Sequence, residues 1–340
     1  MNTHATAATR RLMELATAYW GSAALIASVS LGLWNALAEG PIETADLAHG
    51  CGCSTEHLED LLQALEAMGV VQLTELGWEI APEFRFLLDP SSETYLVPAL
   101  ALNADLYPLW GRLANCVQSG QPVVNPAAHL GADPDRTRRF VLAMHSRARV
   151  FAPVFMSALP LEGVRSLLDV GAGPGTFTRW LAERHPTLRV TQFDLPDVIR
   201  VAEELTSTSP AAERIQFVPG DYRRTESFGG PFDMILFCGA LHQEDPDGAS
   251  QLWRKFAQAL SPKGRLAVID LMRGHPSGGP MPALFSLQMR LTSPRGRVYS
   301  MSQVSAMLTS GGWTLEEARP LEIPPYGLIL ARPPHRRSNA

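Results

Sequence analysis

The chain has 340 residues, enough for two domains or one large one. Apolar residues make up 46% and charged ones 19%, which excludes a disordered chain, and a formal net charge of −5 leaves no basic footprint for nucleic acid or an acidic membrane. Four cysteines (Cys51, Cys53, Cys116 and Cys238) are too few and scattered for a disulfide framework or a four-ligand zinc site, so a reducing, cytoplasmic setting is expected.

The first expected element is an uncharged helix over Leu15–Ala38. It is long enough to span a bilayer, but Thr17, Gly21, Ser22, Ser28, Ser30, Gly32 and Asn35 make a buried helix the better reading. A twin-arginine export signal at Arg10-Arg11 is rejected because Glu14 sits where its apolar run should begin. Between Arg11 and Arg85 there is no Lys or Arg, while eleven acids occur there. Within this acidic stretch, Ile42–His49 and Ser54–Met68 read as two helices of a helix-turn-helix. Ser54 is placed as N-cap, and Leu58, Leu61, Leu62, Leu65 and Met68 share one face. Val70–Leu73 and Trp78–Ala81 form the hairpin of a wing. A recognition helix needs basic side chains near phosphates, and this one offers Glu56, Glu59, Asp60 and Glu66. DNA is therefore excluded as its partner, and another protein chain is favoured.

A helical connector follows over residues 101–160, with helices expected over Leu100–Val117 and Pro134–Leu159 and a loop between them. Arg136, Arg138, Arg139, Arg147 and Arg149 are read as a solvated face in preference to an anion site.

From Ser166 the pattern changes. Leu167-Leu168-Asp169-Val170 is an apolar strand running into Gly171-Ala172-Gly173-Pro174-Gly175-Thr176, then a helix to Arg184. This is the opening unit of a doubly wound sheet, in which ligands sit at the carboxyl ends of strands. The glycines fall as G-x-G-x-G, not the G-x-G-x-x-G of a dinucleotide site, with Thr176 at the position of the third dinucleotide glycine. Further strands are expected over Arg189–Phe193, Ile215–Pro219, Phe232–Phe237 and Leu266–Ile269, with helices over Asp197–Leu205 and Gly248–Leu260. Asp169, Asp194 and Asp221 thus stand at the rims of three successive strands. Each alone could cap a turn, but together they point to a nucleoside-containing ligand, Asp194 on the ribose hydroxyls and Asp221 on an adenine amino group.

With LLDVGAGPGT, FDLPDVI, VPGDY, ALH and PKGRLAVID in succession, the chain resembles class I S-adenosylmethionine-dependent methyltransferases. Nearest are the plant caffeate and the bacterial antibiotic and pigment O-methyltransferases, including the hydroxyneurosporene and acetylserotonin types. The resemblance covers nearly the whole chain. It implies a winged-helix dimerisation domain (residues 1–100) before the helical connector, and a Rossmann-like α/β cofactor domain at 161–333 with a disordered tail at 334–340. It also implies a homodimer whose partner lends residues to the site. Carried over by position, Gly171 and Gly173 meet the methionine part of S-adenosylmethionine, and Leu195 and Tyr222 flank the adenine. Cys238 replaces a polar residue beside the cofactor.

His242 takes the position of the family's catalytic base. An imidazole can accept a phenol proton as the oxygen attacks a sulfonium methyl. Asp270 matches the carboxylate that orients it. Two departures stand out. The family's second flanking carboxylate is Val298, in Gly296-Arg297-Val298-Tyr299-Ser300, and its Asp-Trp after the histidine is Gln243-Glu244. Without the resemblance, His242 reads equally as a base or as a surface-loop histidine beside Gln243, Glu244 and Asp245. Met144, Phe285 and Met289, with Met281, Leu284, Gln288 and Leu291, are expected to line a pocket for a small apolar acceptor. No metal cluster is expected. The degraded carboxylate pair leaves other classes open on the same fold: C- or N-methylation, a decarboxylase or cyclase, or cofactor binding without catalysis.

Overall fold

A computed structural model of the chain describes residues 3–124 and 133–334, so the polar tail from His335 onward lies outside the described residues. The chain divides into two compact units that meet at Leu106 and Tyr107.

The first unit contains α1 (Thr3–Thr17), α2 (Tyr19–Ser30), α3 (Leu33–Ala38), α4 (Thr44–Cys51), α5 (Thr55–Ala67), β1 (Val71–Thr74), β2 (Gly77–Ile80), α6 (Pro82–Leu88) and most of α7 (Val97–Trp110). Leu58, Leu62 and Leu65 bury one face of α5 against Leu33, Trp34, Leu37, Leu47 and Trp78. The hairpin is tied down where Trp78 and Ile42 exchange backbone hydrogen bonds and the Trp78 indole donates to Thr44 Oγ1 at 3.0 Å. Gly77 is required beside it: φ is +120°, and a Cβ would stand 2.5 Å from the Ile42 carbonyl oxygen. Ser54 is the N-cap residue of α5, but its hydroxyl pairs with His57 Nδ1 at 3.0 Å and leaves the helix amides uncapped.

The expected buried helix over Leu15–Ala38 is corrected. It is three helices, interrupted at Ala18 and at Leu31-Gly32, where Gly32 takes φ +73°. Leu33, Trp34 and Leu37 are core, and Leu25 and Val29 pack against it. Leu12, Met13, Leu15, Tyr19 and Trp20 are exposed, Trp20 to 62%. Residues 6–30 are long and apolar enough by composition to cross a membrane, and only 6% of the most apolar window is buried.

The second unit holds α8 (Leu113–Ser119), α9 (Pro134–Ser157), β3 (Ser166–Val170), α10 (Thr176–Arg184), β4 (Arg189–Asp194), α11 (Pro196–Thr206), β5 (Ile215–Pro219), β6 (Phe232–Cys238), α12 (Pro246–Ala259), β7 (Leu260–Leu271), α13 (Met281–Thr292), α14 (Met301–Ser310), β8 (Thr314–Pro320) and β9 (Tyr326–Arg332). The expected helix over Leu100–Val117 is divided between α7 and α8 at Gly111-Arg112. β7 begins six residues earlier than Leu266. The strand order is β5-β4-β3-β6-β7-β9-β8, with β3 to β7 parallel and β9 antiparallel to both neighbours.

Period-two alternation explains the three layers. Leu168, Val170, Ile235, Phe237 and Val268 face Trp253 and Phe256 of α12. Leu167, Met234, Leu236, Ala267 and Ile269 face the other way, toward Phe155 and Met156 of α9 and Leu181 of α10. Each fully buried Leu or Phe contributes about 1.5–3 kcal/mol relative to exposure. Strand order reverses between β3 and β6, the place where doubly wound sheets open a crevice for ligands.

Candidate active site

The crevice is built first from glycine. Gly171, Gly173 and Gly175 take φ of +69°, +56° and +66°. A Cβ on Gly173 would meet nothing within 4 Å, so its backbone lies open to a ligand. A Cβ on Gly175 would stand 2.1 Å from Gln192 Oε1, so this third glycine lets the loop close on β4.

Asp194, at the end of β4, is bound to that loop. Its Oδ2 accepts the Gly173 N–H at 2.7 Å, and its Oδ1 accepts the Leu195 N–H at 2.7 Å. Burial pushes its carboxyl up to about 6 against the pull of those two N–H groups. Two of the roughly four acceptor sites on a carboxylate remain, enough for a pair of ribose hydroxyls. Asp169 lies deeper, accepting from Thr178 Oγ1 at 3.0 Å, and burial together with nearby Asp194 pushes it up to about 7. Open glycine backbone beside a half-satisfied acid fits the methionine and ribose parts of S-adenosylmethionine.

On the far side of the crevice, Asp221 is partly occupied by its own turn, taking the Arg223 N–H on Oδ1 at 2.9 Å. Tyr222 approaches Gly171, where a Cβ would lie 3.7 Å from its Cε1. Its hydroxyl donates to Glu244 Oε1 at 2.9 Å, and Arg223 Nε donates to the same oxygen at 2.7 Å. Glu244 is fully buried, contrary to the surface reading of its loop. The sequence carried no signal for this, because three successive polar residues look solvated. Cys238, at the end of β6, is a half-buried thiol pushed well above its usual range by desolvation, with the Asp169 and Asp270 charges adding to it.

The dyad follows. His242 sits on a short turn after β6, and Asp270 ends the central part of β7. Asp270 Oδ1 bonds His242 Nδ1 at 2.8 Å and takes the Leu271 N–H at 2.7 Å, while Oδ2 takes the His242 backbone N–H at 3.1 Å. A carboxylate only accepts, so the imidazole proton lies on Nδ1 and the lone pair on Nε2. Phe285 of α13 packs edge-on against the ring, with centroids 5.0 Å apart.

The helix α9 crosses the same strand ends. His145 Nδ1 bonds Thr176 Oγ1 at 2.7 Å, and burial, with Arg179 and Arg149 nearby, pushes its pKa down to about 4. Met144 is half-buried beside it. Arg147 departs from the expected solvated face: it donates to the Tyr326 hydroxyl and lies 5.5 Å from the Phe151 ring centroid. On α13, Met289 is half-buried, Leu291 is fully in the core, and Met281 and Leu284 are exposed. Gln288 is 7% exposed. Val298, at the position of the missing carboxylate, is 2% exposed within the apolar layer that contains Phe155 and Leu271. Among the described residues no cluster of His, Cys, Asp or Glu fits a metal ion.

Residues 110–314 match the family model of the O-methyltransferase domain, and residues 13–98 match the O-methyltransferase dimerisation domain. The tetracenomycin polyketide synthesis 8-O-methyl transferase of Streptomyces glaucescens is 29% identical over 313 residues, covering 89% of this chain and 91% of that protein. The phenazine-1-carboxylate N-methyltransferase of Pseudomonas aeruginosa is 26% identical over 339 residues, 98% of this chain and 100% of the relative. The crystal structure of human N-acetylserotonin methyltransferase in complex with S-adenosylmethionine shares the fold. Its TM-score is 0.87 at 23% identity, covering 96% of this chain and 98% of that one. Since one family model spans more than half its length, the chain belongs to the O-methyltransferase family, whose methyl donor is S-adenosylmethionine.

Proposed function

We propose that this enzyme methylates a phenolic hydroxyl of a small, largely apolar metabolite, with His242 as general base and Asp270 holding its ring. The observation that carries this reading is the double grip of Asp270 on His242, which leaves Nε2 as the acceptor beside Phe285. S-adenosylmethionine supplies an activated sulfonium methyl. The protein's part is to align the hydroxyl and to remove its proton. Asp194, Gly171, Gly173, Leu195 and Tyr222 form the cofactor side, with the buried Asp169 and half-buried Cys238 as its floor and Asp221 at its margin. Met144, Phe285 and Met289 form the acceptor side. The buried Val298 leaves one flanking carboxylate, which suits an acceptor that ionises readily.

The reading includes a cytoplasmic homodimer joined through the first unit. The exposed Leu12, Met13, Leu15, Tyr19 and Trp20 support it, and most of them lie within the stretch matched by the dimerisation model. Arg10, Arg11 and Glu14 are poor membrane residues at that position. The activity test is incubation with S-adenosylmethionine and a panel of hydroxylated aromatics. Formation of S-adenosylhomocysteine with an O-methyl product is expected, and transfer only to nitrogen or carbon would overturn the reading. For assembly, light scattering should give a dimer that Trp20→Glu dissociates. A monomeric wild type, or sedimentation with vesicles, counts against it.

A further inference from the structure

Gln288 is buried, yet its amide is only half used. The Trp110 indole N–H donates to Gln288 Oε1 at 2.6 Å. An indole N–H can only donate, so this bond fixes which end of the amide is oxygen and turns the NH2 the other way. Nε2 then has no hydrogen-bond partner among the described residues. A buried donor left unpaired costs about 1–3 kcal/mol, so the site holds a standing demand for an oxygen.

The location says whose oxygen that is. At 100° per residue, Gln288 stands about 60° round α13 from Phe285 and about one turn further along it. Phe285 is the residue packed on the His242 ring. The backbone carbonyl of Gln288 is itself occupied by Thr292 Oγ1 at 3.2 Å. The unsatisfied NH2 therefore lies on the stretch of α13 that borders the catalytic histidine.

We infer that Gln288 recognises a second oxygen of the acceptor, its NH2 donating to a carbonyl or carboxylate oxygen on the same molecule that presents the hydroxyl to His242. This rests on the functional reading above and narrows it: the acceptor is a hydroxylated aromatic that also carries a quinone, ketone or carboxylate oxygen. Such a group is an acceptor without a competing proton. A plain phenol of the same outline leaves the amide unpaired. Electron withdrawal by a conjugated carbonyl also lowers the hydroxyl's pKa, which suits a base flanked by a single carboxylate.

The test compares 2-hydroxyanthraquinone with 2-anthrol, which lacks the carbonyls, by calorimetric binding with S-adenosylhomocysteine present and by methyl transfer. The wild type should favour the quinone by roughly 10-fold or more, the range expected when a buried donor gains its partner. Gln288→Met should bring the two affinities within about 3-fold of each other while affinity for S-adenosylhomocysteine stays unchanged. Trp110→Phe keeps the amide but frees it to turn, and should lose part of the preference, which keeps the test open if Gln288→Met folds poorly. A wild type with no preference, or a preference that survives both substitutions, overturns the inference. Binding of neither probe counts against it too. If both bind and the preference follows Gln288 but no oxygen is methylated, the hydroxyl reading fails and the recognition of a second oxygen stands.

Discussion

Asp270 receives three N–H groups, from the His242 ring, the His242 backbone and the Leu271 backbone, and so spends most of its acceptor capacity on His242 and its own strand end. His242→Ala should lower kcat by roughly 10²–10⁴-fold with cofactor affinity intact. Asp270→Asn should be nearly as damaging, because the amide must turn its NH2 toward one of those N–H groups. Turned toward the ring, it donates to Nδ1 and moves the imidazole proton onto Nε2, where the base is needed. Turnover of the two variants, set beside calorimetric cofactor binding, checks both. An Asp270→Asn enzyme at near wild-type rate would show that ring orientation is fixed by something else.

Asp194→Ala should weaken S-adenosylmethionine binding by at least about tenfold, or about 1.4 kcal/mol, since it removes the acid proposed to hold the ribose and releases the Gly173 N–H together. Affinity for the wild type should also fall as pH drops through about 6, where Asp194 gains its proton. Calorimetry at pH 5, 6.5 and 8 gives both results, and an affinity flat across that range would remove Asp194 from the cofactor site.

The buried Asp169 makes a prediction about stability. Its folded value of about 7 lies above the unfolded carboxylate value of about 3.9. The folded state therefore holds a proton that the unfolded chain gives up. The resulting stabilisation is present at low pH and is lost as pH rises through about 7. From this group alone the ligand-free protein should lose roughly 2–3 kcal/mol between pH 5 and pH 8. Asp169→Asn should flatten that slope and exceed the wild type in Tm at pH 8. Thermal unfolding with and without the substitution is the measurement, and a slope that persists unchanged would assign it to other groups.

Val298→Glu restores the family's second carboxylate in sequence but not in environment. The side chain is buried against apolar neighbours, so a charge there should destabilise the protein by about 3 kcal/mol or more. A clear fall in Tm without faster turnover is expected. Raised activity at unchanged Tm would mean that the site can admit the carboxylate beside His242.

Much of this was legible because the physics is local. Strands β3 to β6 are short apolar runs that end in glycine or an acid, and Asp169, Asp194 and His242 stand where those runs stop. The last two strands were not foreseen. β8 reads Thr-Leu-Glu-Glu-Ala-Arg-Pro, an edge strand with one wet face, and β9 follows two prolines with no glycine turn to announce it. Glu244 escaped for a different reason, and Gln288 was expected only as pocket lining, without its bond to Trp110. Their importance lies in burial and in partners far along the chain, Tyr222 for one and Trp110 for the other, which residue type and spacing do not reveal. The exposed Leu15, Tyr19 and Trp20 misled in the opposite sense, because an uncharged stretch indicates that something covers it but not whether the cover is the same chain.

The position of β9 bears on how the molecule is made. It comes last among the strands yet lies inside the sheet, pairing Gly327 with Asp270 on one side and strand β8 on the other. On the ribosome, β7 must wait with an open edge until residues 326–332 have emerged, and only then does the carboxylate that steadies His242 acquire its neighbour. A growing chain can thus assemble its glycine loop and the rim of Asp169 and Asp194 well before the His242–Asp270 pair is framed. Loss of the final strand should strip Leu328, Ile329, Leu330 and Ala331 from both core layers and leave the edge of β7 free to pair with the wrong partner.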